Sequence, residues 1–273
     1  MTVELLAPAK VNLTLHITGQ RADGYHLLDS LVVFADFGDR LRLEPGPEMQ
    51  ISLRGAFAKG VPTDGRNLIW KAAAGAGWSG HVSLDKQLPH GAGIGGGSSD
   101  AAAMLKAIRE LGQPIPADLP LALGADVPVC QEQRATRMRG IGEELTPIEL
   151  PRLHALLVNP GVCVPTGAVF QGLAARENPS MPADIPEFSA AEDCALWLQT
   201  QRNDLESPAI AVAPIIDRAL ADLRATRNVL LARMSGSGAT CLALYPSKQA
   251  AHLAAYEIGA EHPEWWCRAT CLT

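Results

Sequence analysis

Along LLAPAKVNLTLHITG apolar and polar residues alternate, with Val11, Leu13, Leu15 and Ile17 on one face and Lys10, Asn12, Thr14 and His16 on the other. A period of two predicts a half-buried strand whose polar face sets Lys10 and Asn12 side by side. Asp23-Gly24 signals a turn, Leu27 to Phe34 is an apolar segment, and RLRLEP alternates again, with QISLRG expected as its antiparallel neighbour. The period then lengthens. DGRNLIWKAAAGAGW predicts a helix starting near Asn67, HVSLDKQLP a strand, and AAAMLKAIREL, with Ala101, Leu105 and Ile108 at helical spacing, another helix.

Beyond the proline-rich QPIPADLP, LPLALGADVPV predicts a short turn of helix and ATRMRGIGEELTPI two short strands. HALLVNPGVCVPTGAVFQGL contains two apolar strand-like pieces broken at Asn159-Pro160-Gly161, where a domain change is expected. A polar, proline-rich loop, ARENPSMPADIPEFSAAED, precedes helices in CALWLQTQ, SPAIAVAPIIDRALADLRA and KQAAHLAAYEIG. LLARMSGSGATCLALYP reads as strand, glycine turn and strand, and WWCRATCLT as a last strand. Together these predict an α+β protein with predominantly antiparallel sheets.

Composition narrows the function classes. The 273 residues are 47% hydrophobic and 19% charged, which suits a packed globular protein with room for two modest domains. A formal charge of −6 and no basic stripe argue against non-specific binding to nucleic acid or acidic membranes. MTVELLAPAK has neither the charged nor the apolar region of a signal peptide, no apolar run reaches membrane-helix length, and a cytoplasmic location is expected. The six cysteines are scattered, and only Cys267 and Cys271 approach metal spacing, without a partner pair; reduced, mostly buried thiols are the expectation.

The stretch LPHGAGIGGGSSD packs five glycines and two serines between a proline and an acid. Gly91, Gly93 and Gly96 satisfy the dinucleotide pattern G-x-G-x-x-G, but the following ELGQPIPADLP cannot supply the second buried strand that a Rossmann unit needs. A Walker loop is excluded because no Gly-Lys pair occurs. What remains is bare backbone feeding a helix N-terminus, whose unpaired N–H groups and positive dipole suit phosphate, with the hydroxyls of Ser98 and Ser99 adding donors. An ordinary turn capped by Ser99 or Asp100 is the plainer alternative.

Four segments combine polar residues with constrained backbone: AKVN, the glycine loop, GADVP (Gly124–Pro128) and SGSGAT (Ser235–Thr240). In order and character they resemble the GHMP kinase superfamily, which includes galactokinase, homoserine kinase, mevalonate kinase and phosphomevalonate kinase. Its loop pattern, P-x-G-x-G-L-G-S/G-S/G-S, is followed here from Pro89 to Ser99, with Ile94 for leucine. The N-terminal APAKVNLTLHITGQRADGYH, joined to GADVP and PGVCVPT, is most similar to the branch that phosphorylates 4-diphosphocytidyl-2-C-methyl-D-erythritol in non-mevalonate isoprenoid synthesis, over about Ala7 to Tyr245. The chain departs from that pattern at His90, at Cys130 and in a short segment between Leu111 and Leu121.

The resemblance implies a two-domain GHMP kinase fold with an active-site cleft between residues 1–152, which bind ATP, and 153–273, which bind substrate. It implies ATP with Mg2+, and transfer of the γ-phosphate to the 2-hydroxyl of the methylerythritol unit. Asp126 would be the general base, since a hydroxyl attacking phosphorus needs a carboxylate to take its proton; on residues alone, aspartate before Val-Pro equally suits a turn. Lys10 would pair with Asp126 and stabilise the developing alkoxide, although most lysines are simply solvated. On the ATP side stand Pro89, His90, Gly91, Ala92, Gly93, Ile94, Gly95, Gly96, Gly97, Ser98 and Ser99, with Asn67 and Leu68 at the adenine and Lys86 approaching the purine. Tyr25 and Phe170 would sandwich the cytosine and His26 read its edge, while Asn12 and Thr166 help place the substrate; core packing is the plainer role for such aromatics. No carboxylate cage for Mg2+ is visible, leaving phosphates, Ser99 and water to hold it, and Asp100 would complement the helix dipole. Another alcohol kinase of the superfamily, or a nucleotide-binding regulator that has lost catalysis, remains open at this point.

Overall fold

The computed structural model describes residues 2–273. The first part of the chain forms β1 (Val3–Asn12), β2 (His16–Gln20), β3 (His26–Pro45), β4 (Gln50–Arg54), α1 (Leu68–Gly75), β5 (Gly80–Asp85), α2 (Gly96–Glu110), α3 (Leu119–Leu123) and α4 (Val127–Glu132). There follow β6 (Thr136–Gly140), β7 (Glu144–Pro147), β8 (Leu153–Asn159), α5 (Thr166–Gln171), α6 (Ala191–Gln199), α7 (Glu206–Val212), α8 (Ile215–Ala225), β9 (Leu231–Met234), β10 (Cys241–Tyr245), α9 (Lys248–Glu261) and β11 (Trp266–Leu272). Two compact units interleave along the sequence and do not fall on either side of residue 152. The first takes the chain up to Lys10, Phe37–His90 and Gly95–Gln133; the second takes Val11–Asp36, Gly91–Ile94 and Arg134–Thr273.

In the first unit β5 pairs antiparallel with Arg40–Pro45 of β3, and β4 pairs with β5. Here the structure corrects the expected register: β4 is the parallel neighbour of β5, not the antiparallel neighbour of β3. The pattern of burial explains the exchange, because every second residue of β5 is buried and every second residue of β4 is exposed. The more apolar strand takes the inner place, and the short, polar β4 forms an edge. Helix α2 buries Ala101 to Leu105, Ala107 and Ile108, and packs on α1 and α4.

In the second unit β2 and β6 pair antiparallel with the first half of β3, and β7 with β6. Strands β11, β8, β10 and β9 form a further antiparallel set in that order. Helix α8 buries Ile216, Ala219, Leu220 and Leu223, a stripe at helical spacing that packs with Leu156, Val158 and Tyr245. The apolar segment at Leu27–Phe34 and the alternating RLRLEP, read as separate pieces, are one continuous strand. The second piece after Asn159-Pro160-Gly161 is helix α5 rather than a strand, with Pro165 as the extended residue before its first turn.

The N-terminal alternation is real but both its faces are buried. Lys10, Asn12, Thr14 and His16 are as inaccessible as Val11, Leu13, Leu15 and Ile17. Each polar side chain has a partner that makes burial tolerable: Lys10 bonds Asp126, Asn12 bonds Ser30, the Thr14 hydroxyl accepts from Leu31 N, and His16 Nδ1 meets Pro179 O.

Candidate functional site

In the first unit, Lys10 near the end of β1 places its Nζ 2.8 Å from Asp126 Oδ2. Asp126 stands immediately before α4, where an aspartate would ordinarily cap, yet its carboxylate makes no capping bond. Pro128 sits in the first turn and lacks the N–H that a cap would satisfy, so the side chain is free to turn to the lysine. The pair is asymmetric: the Lys10 side chain is 5% exposed and that of Asp126 35%. One oxygen of the carboxylate is held by a buried cation while the group stays open to a reactant.

The glycine loop ends beside this pair. Gly95, with φ +64°, precedes α2, and a Cβ there would lie 3.0 Å from Lys10 Cβ. Only glycine takes that backbone angle cheaply and lets the helix start so close to the lysine. Helix α2 therefore begins at Gly96, four or five residues earlier than a cap at Ser99 or Asp100 would put it. Ser99 lies inside the first turns with its hydroxyl buried, donating to Pro8 O at 2.7 Å and close to Cys130 Sγ at 3.4 Å. At 1% exposure the Ser99 hydroxyl is packed between β1 and α4. Burial first, and then the charge of Asp126, push the Cys130 thiol up to about 12, so it is an inert packing group.

Of the three residues expected near adenine, two are otherwise engaged. Asn67 caps α1, its Oδ1 accepting from Ile69 N at 2.9 Å and its Nδ2 donating to Pro62 O at 2.7 Å. Lys86 is buried with its ammonium bonded to Asp39 Oδ2 and, at 2.7 Å, to Asp100 Oδ2. The Lys86 ammonium is thus not directed at a purine, and Asp100 serves this cluster rather than the helix dipole. Leu68 is half-buried beside Gly97, at 3.6 Å from where a Cβ of that glycine would stand.

The second unit carries the other part of the loop and the expected substrate residues. Gly93, at φ +73°, would place a Cβ 2.5 Å from Ser235 O, so the SGSGAT turn packs directly on the loop backbone. Ser235 ties the pieces together: its Oγ accepts from Asn12 N at 3.0 Å and donates to Gly93 O at 3.1 Å, while Thr240 N donates to Ala92 O at 3.1 Å. Asn203 holds the turn from behind, Nδ2 donating to Met234 O at 2.8 Å and Gly236 O at 2.9 Å. Asn12 donates to Ser30 Oγ at 2.8 Å, and its Oδ1 is buried with no partner among the described residues.

Tyr25 follows the turn at Arg21–Gly24 and is 59% exposed, so it is no part of the core. His26 stacks in a tilted arrangement on Phe170 with centroids 4.8 Å apart. Burial, and then the positive charge of Arg176, hold His26 below its usual value, so the ring is neutral at neutral pH. Its Nε2 is buried without a partner among the described residues, a vacant hydrogen-bonding position. Thr166 Oγ1 meets Ser237 Oγ at 2.9 Å, which brings α5 to the same turn that holds Asn12. Sequence reasoning missed Asp39, Ser30 and Asn203, single polar residues without a motif of their own.

Comparisons with known proteins identify the family. The family model for the GHMP kinases N terminal domain matches residues 67–133, and that for the GHMP kinases C terminal matches residues 187–264. The chain is 58% identical over 269 residues, 97% of its own length and 93% of the other's, to a 4-diphosphocytidyl-2-C-methyl-D-erythritol kinase of Dinoroseobacter shibae. To the protein of that name from Cereibacter sphaeroides strain ATCC 17029 it is 56% identical, covering 96% of each. A crystal structure of a 4-(cytidine 5'-diphospho)-2C-methyl-D-erythritol kinase superposes with a TM-score of 0.77 at 35% identity, covering 99% of both chains. Identity at this level over nearly the whole of both chains leaves one assignment: the chain belongs to the 4-diphosphocytidyl-2-C-methyl-D-erythritol kinase family of the GHMP kinases.

Proposed function

We propose that the protein transfers the γ-phosphate of ATP to the 2-hydroxyl of 4-diphosphocytidyl-2-C-methyl-D-erythritol, releasing ADP, as a step of non-mevalonate isoprenoid synthesis. The observation that carries this reading is the Lys10–Asp126 pair at 2.8 Å beside the start of α2. A tertiary alcohol holds its proton at neutral pH, and the half-open Asp126 carboxylate accepts it as the oxygen bonds to phosphorus. Lys10 orients that carboxylate and stabilises negative charge growing on the alcohol oxygen. The glycine loop, from Pro89 to Ser99, and the N-terminal amides of α2 receive the phosphates, where the helix dipole favours anions. Little covalent work is asked of the protein, because phosphoryl transfer depends on positioning and charge stabilisation.

Substrate selection falls to the second unit. Tyr25 and Phe170 offer faces for the cytosine, the neutral His26 supplies a hydrogen bond to its edge, and Asn12 and Thr166 position the alcohol and its diphosphate. The residues supporting a nucleotide do not include a metal cage. Among the described residues the one grouping of three acid, histidine or cysteine ligands is Asp222, Glu261 and His262, on α8 and the end of α9, and Arg218 is bonded to both acids. Mg2+ would therefore arrive with ATP, held by phosphate oxygens and water, and neutralise phosphate charge. No helix of the described residues is long and apolar enough to cross a membrane. We place the protein in the cytoplasm, where its free cysteines stay reduced.

The test is an ADP-release assay with ATP and Mg2+ that compares 4-diphosphocytidyl-2-C-methyl-D-erythritol with homoserine and mevalonate and identifies the product by mass. Transfer to the cytidine compound alone is the expected result. Transfer to another alcohol would keep the kinase and overturn the substrate.

A further inference from the structure

The Lys86 cluster is more than a salt bridge under a loop. Asp39 is completely buried in β3 and uses both its oxygens. Oδ2 accepts from Lys86 Nζ, while Oδ1 accepts from Gln87 N at 2.6 Å and Leu88 N at 2.9 Å, the two residues that lead into the glycine loop. Lys86 carries the connection across to Asp100, which lies on α2 itself. The first residue of α2 sits directly on this bridge, since a Cβ on Gly96 would be 3.2 Å from Lys86 Nζ and 3.8 Å from Asp39 Oδ2. One cluster therefore fixes both the stem of the loop and the beginning of the helix.

Its charges do not balance. Two carboxylates share one ammonium, and Asp100 Oδ1 is buried with no hydrogen-bond partner among the described residues. With both acids ionised, the cluster places a net negative charge beneath the helix end whose amides are to receive an anion. A proton on Asp100 Oδ1 makes the cluster neutral and removes that repulsion. We propose that Asp39, Lys86 and Asp100 form a proton-binding brace, which positions the phosphate-binding end of α2 and takes up a proton from solvent when a nucleotide polyphosphate binds there.

The surroundings of Asp100 support the assignment. Burial, opposed by the Lys86 charge and reinforced by that of Asp39, pushes its carboxyl up to about 7, where a small electrostatic change alters its occupancy. Lys86 resists its burial because Asp100 and Asp39 hold its proton above the ordinary range, so it remains the cation. From α4 the facing titratable group is the Cys130 thiol, which stays protonated, with the Lys10–Asp126 pair beyond it. Helix α1 presents the apolar Ile69, Ala72 and Ala73 as its buried residues. Linkage requires reciprocity: if nucleotide raises the affinity of Asp100 for a proton, then raising pH weakens the nucleotide by the same factor.

The inference rests on ATP being the ligand of this loop, and the test separates the two. Calorimetric titration of the full chain with magnesium ATP, between pH 6 and 9 and in two buffers of different ionisation enthalpy, reads the dissociation constant and the protons taken up. The expected result is net proton uptake near pH 7.5 and a dissociation constant that weakens roughly three- to tenfold over the range, the size of one partly screened charge interaction. Asp100→Asn is close to isosteric and should abolish both the uptake and the slope. Asp39→Asn, which cannot accept from both lysine and amides, should raise KM for ATP roughly tenfold with a smaller change in kcat and none in KM for the alcohol; Asp100→Asn decides the matter if that variant does not fold. Binding that is independent of pH, or an Asp100→Asn slope equal to the wild type's, overturns the brace while leaving the kinase intact. Failure of the wild-type chain to bind ATP at any pH overturns the function itself, and the brace with it.

Discussion

Two lysine–aspartate assemblies lie in the same unit, and they are built to opposite specifications. Lys10–Asp126 joins one buried cation to one carboxylate whose side chain is 35% exposed. Lys86–Asp39–Asp100 joins a buried cation to two carboxylates that are 0% and 5% exposed. The difference is access. A general base must meet its reactant and exchange its proton, so its carboxylate stays partly open, whereas a positioning cluster gains by excluding water, because hydrogen bonds strengthen and geometry tightens in a low dielectric. On the proposed mechanism the same residue types serve chemistry in one place and architecture in the other.

The comparison breaks most sharply at Asp126. Replacing it by asparagine keeps the shape and removes the base, so kcat should fall by at least about 100-fold while ATP affinity stays within a few-fold. Rapid-mixing turnover and nucleotide titration on the same preparation check this, and near-normal turnover would deny Asp126 its role. Some stability should be lost, because the buried Lys10 ammonium loses its ionised partner, but less than in the sealed cluster, because asparagine still accepts its hydrogen bond. Lys86→Met should do the reverse: it leaves two carboxylates buried without their cation, and breaking such a cluster costs roughly 3–5 kcal/mol. Denaturant unfolding would show that loss, and a variant as stable as the wild type would mean that the cluster does not hold the fold.

The two assemblies also differ in how readable they are. Lys10 and Asp126 each sit in a short local signature, AKVN in an alternating strand and GADVP before a helix, and such signatures can be recognised 116 residues apart. The glycine loop was legible for a similar reason, because φ angles of +64° and +73° at Gly95 and Gly93 demand glycine and therefore write themselves into the composition. Asp39 has no such context. It is one polar residue in a 20-residue strand, and only folding brings it 47 residues along the chain to Lys86. Lys86 and Asn67 were noticed but misdirected, since a sequence cannot say whether a polar side chain faces a ligand or its own scaffold. The two errors of fold have the same origin: whether β4 pairs with β3 or β5, and whether VPTGAVFQ extends or coils, is decided by tertiary neighbours that short apolar runs do not specify.

A milder perturbation tests the principle of access in the second unit. Tyr25 is exposed and touches little, so Tyr25→Ala should raise KM for the cytidine substrate roughly tenfold, the worth of a modest stacking contact, without altering unfolding. Homoserine or mevalonate turnover, if any is detectable, should not respond. An unchanged KM for the cytidine compound would remove Tyr25 from recognition.

The effect most specific to the sealed cluster is a pH dependence of stability. The Asp100 carboxyl is raised from its ordinary 3.8 to about 7 in the folded chain, so between those values the folded state holds a proton that the unfolded state has released. Folding must then become less favourable as pH rises through that window and level off above it. Asp100→Asn deletes this dependence, and its stability relative to the wild type should therefore climb from about pH 4 to about pH 7 and stay constant thereafter. Only the difference between the two proteins is informative, because every other carboxylate titrates in both. Lys86, with its proton held above the usual range, adds nothing to the slope there: its contribution is complete below its unfolded value and fades only in strong alkali. Thermal midpoints of both proteins at half-unit pH intervals would trace the curve. A flat difference would mean that Asp100 ionises in the folded chain as it does in the unfolded one, and the contrast between a sealed and an open aspartate would lose its electrostatic basis.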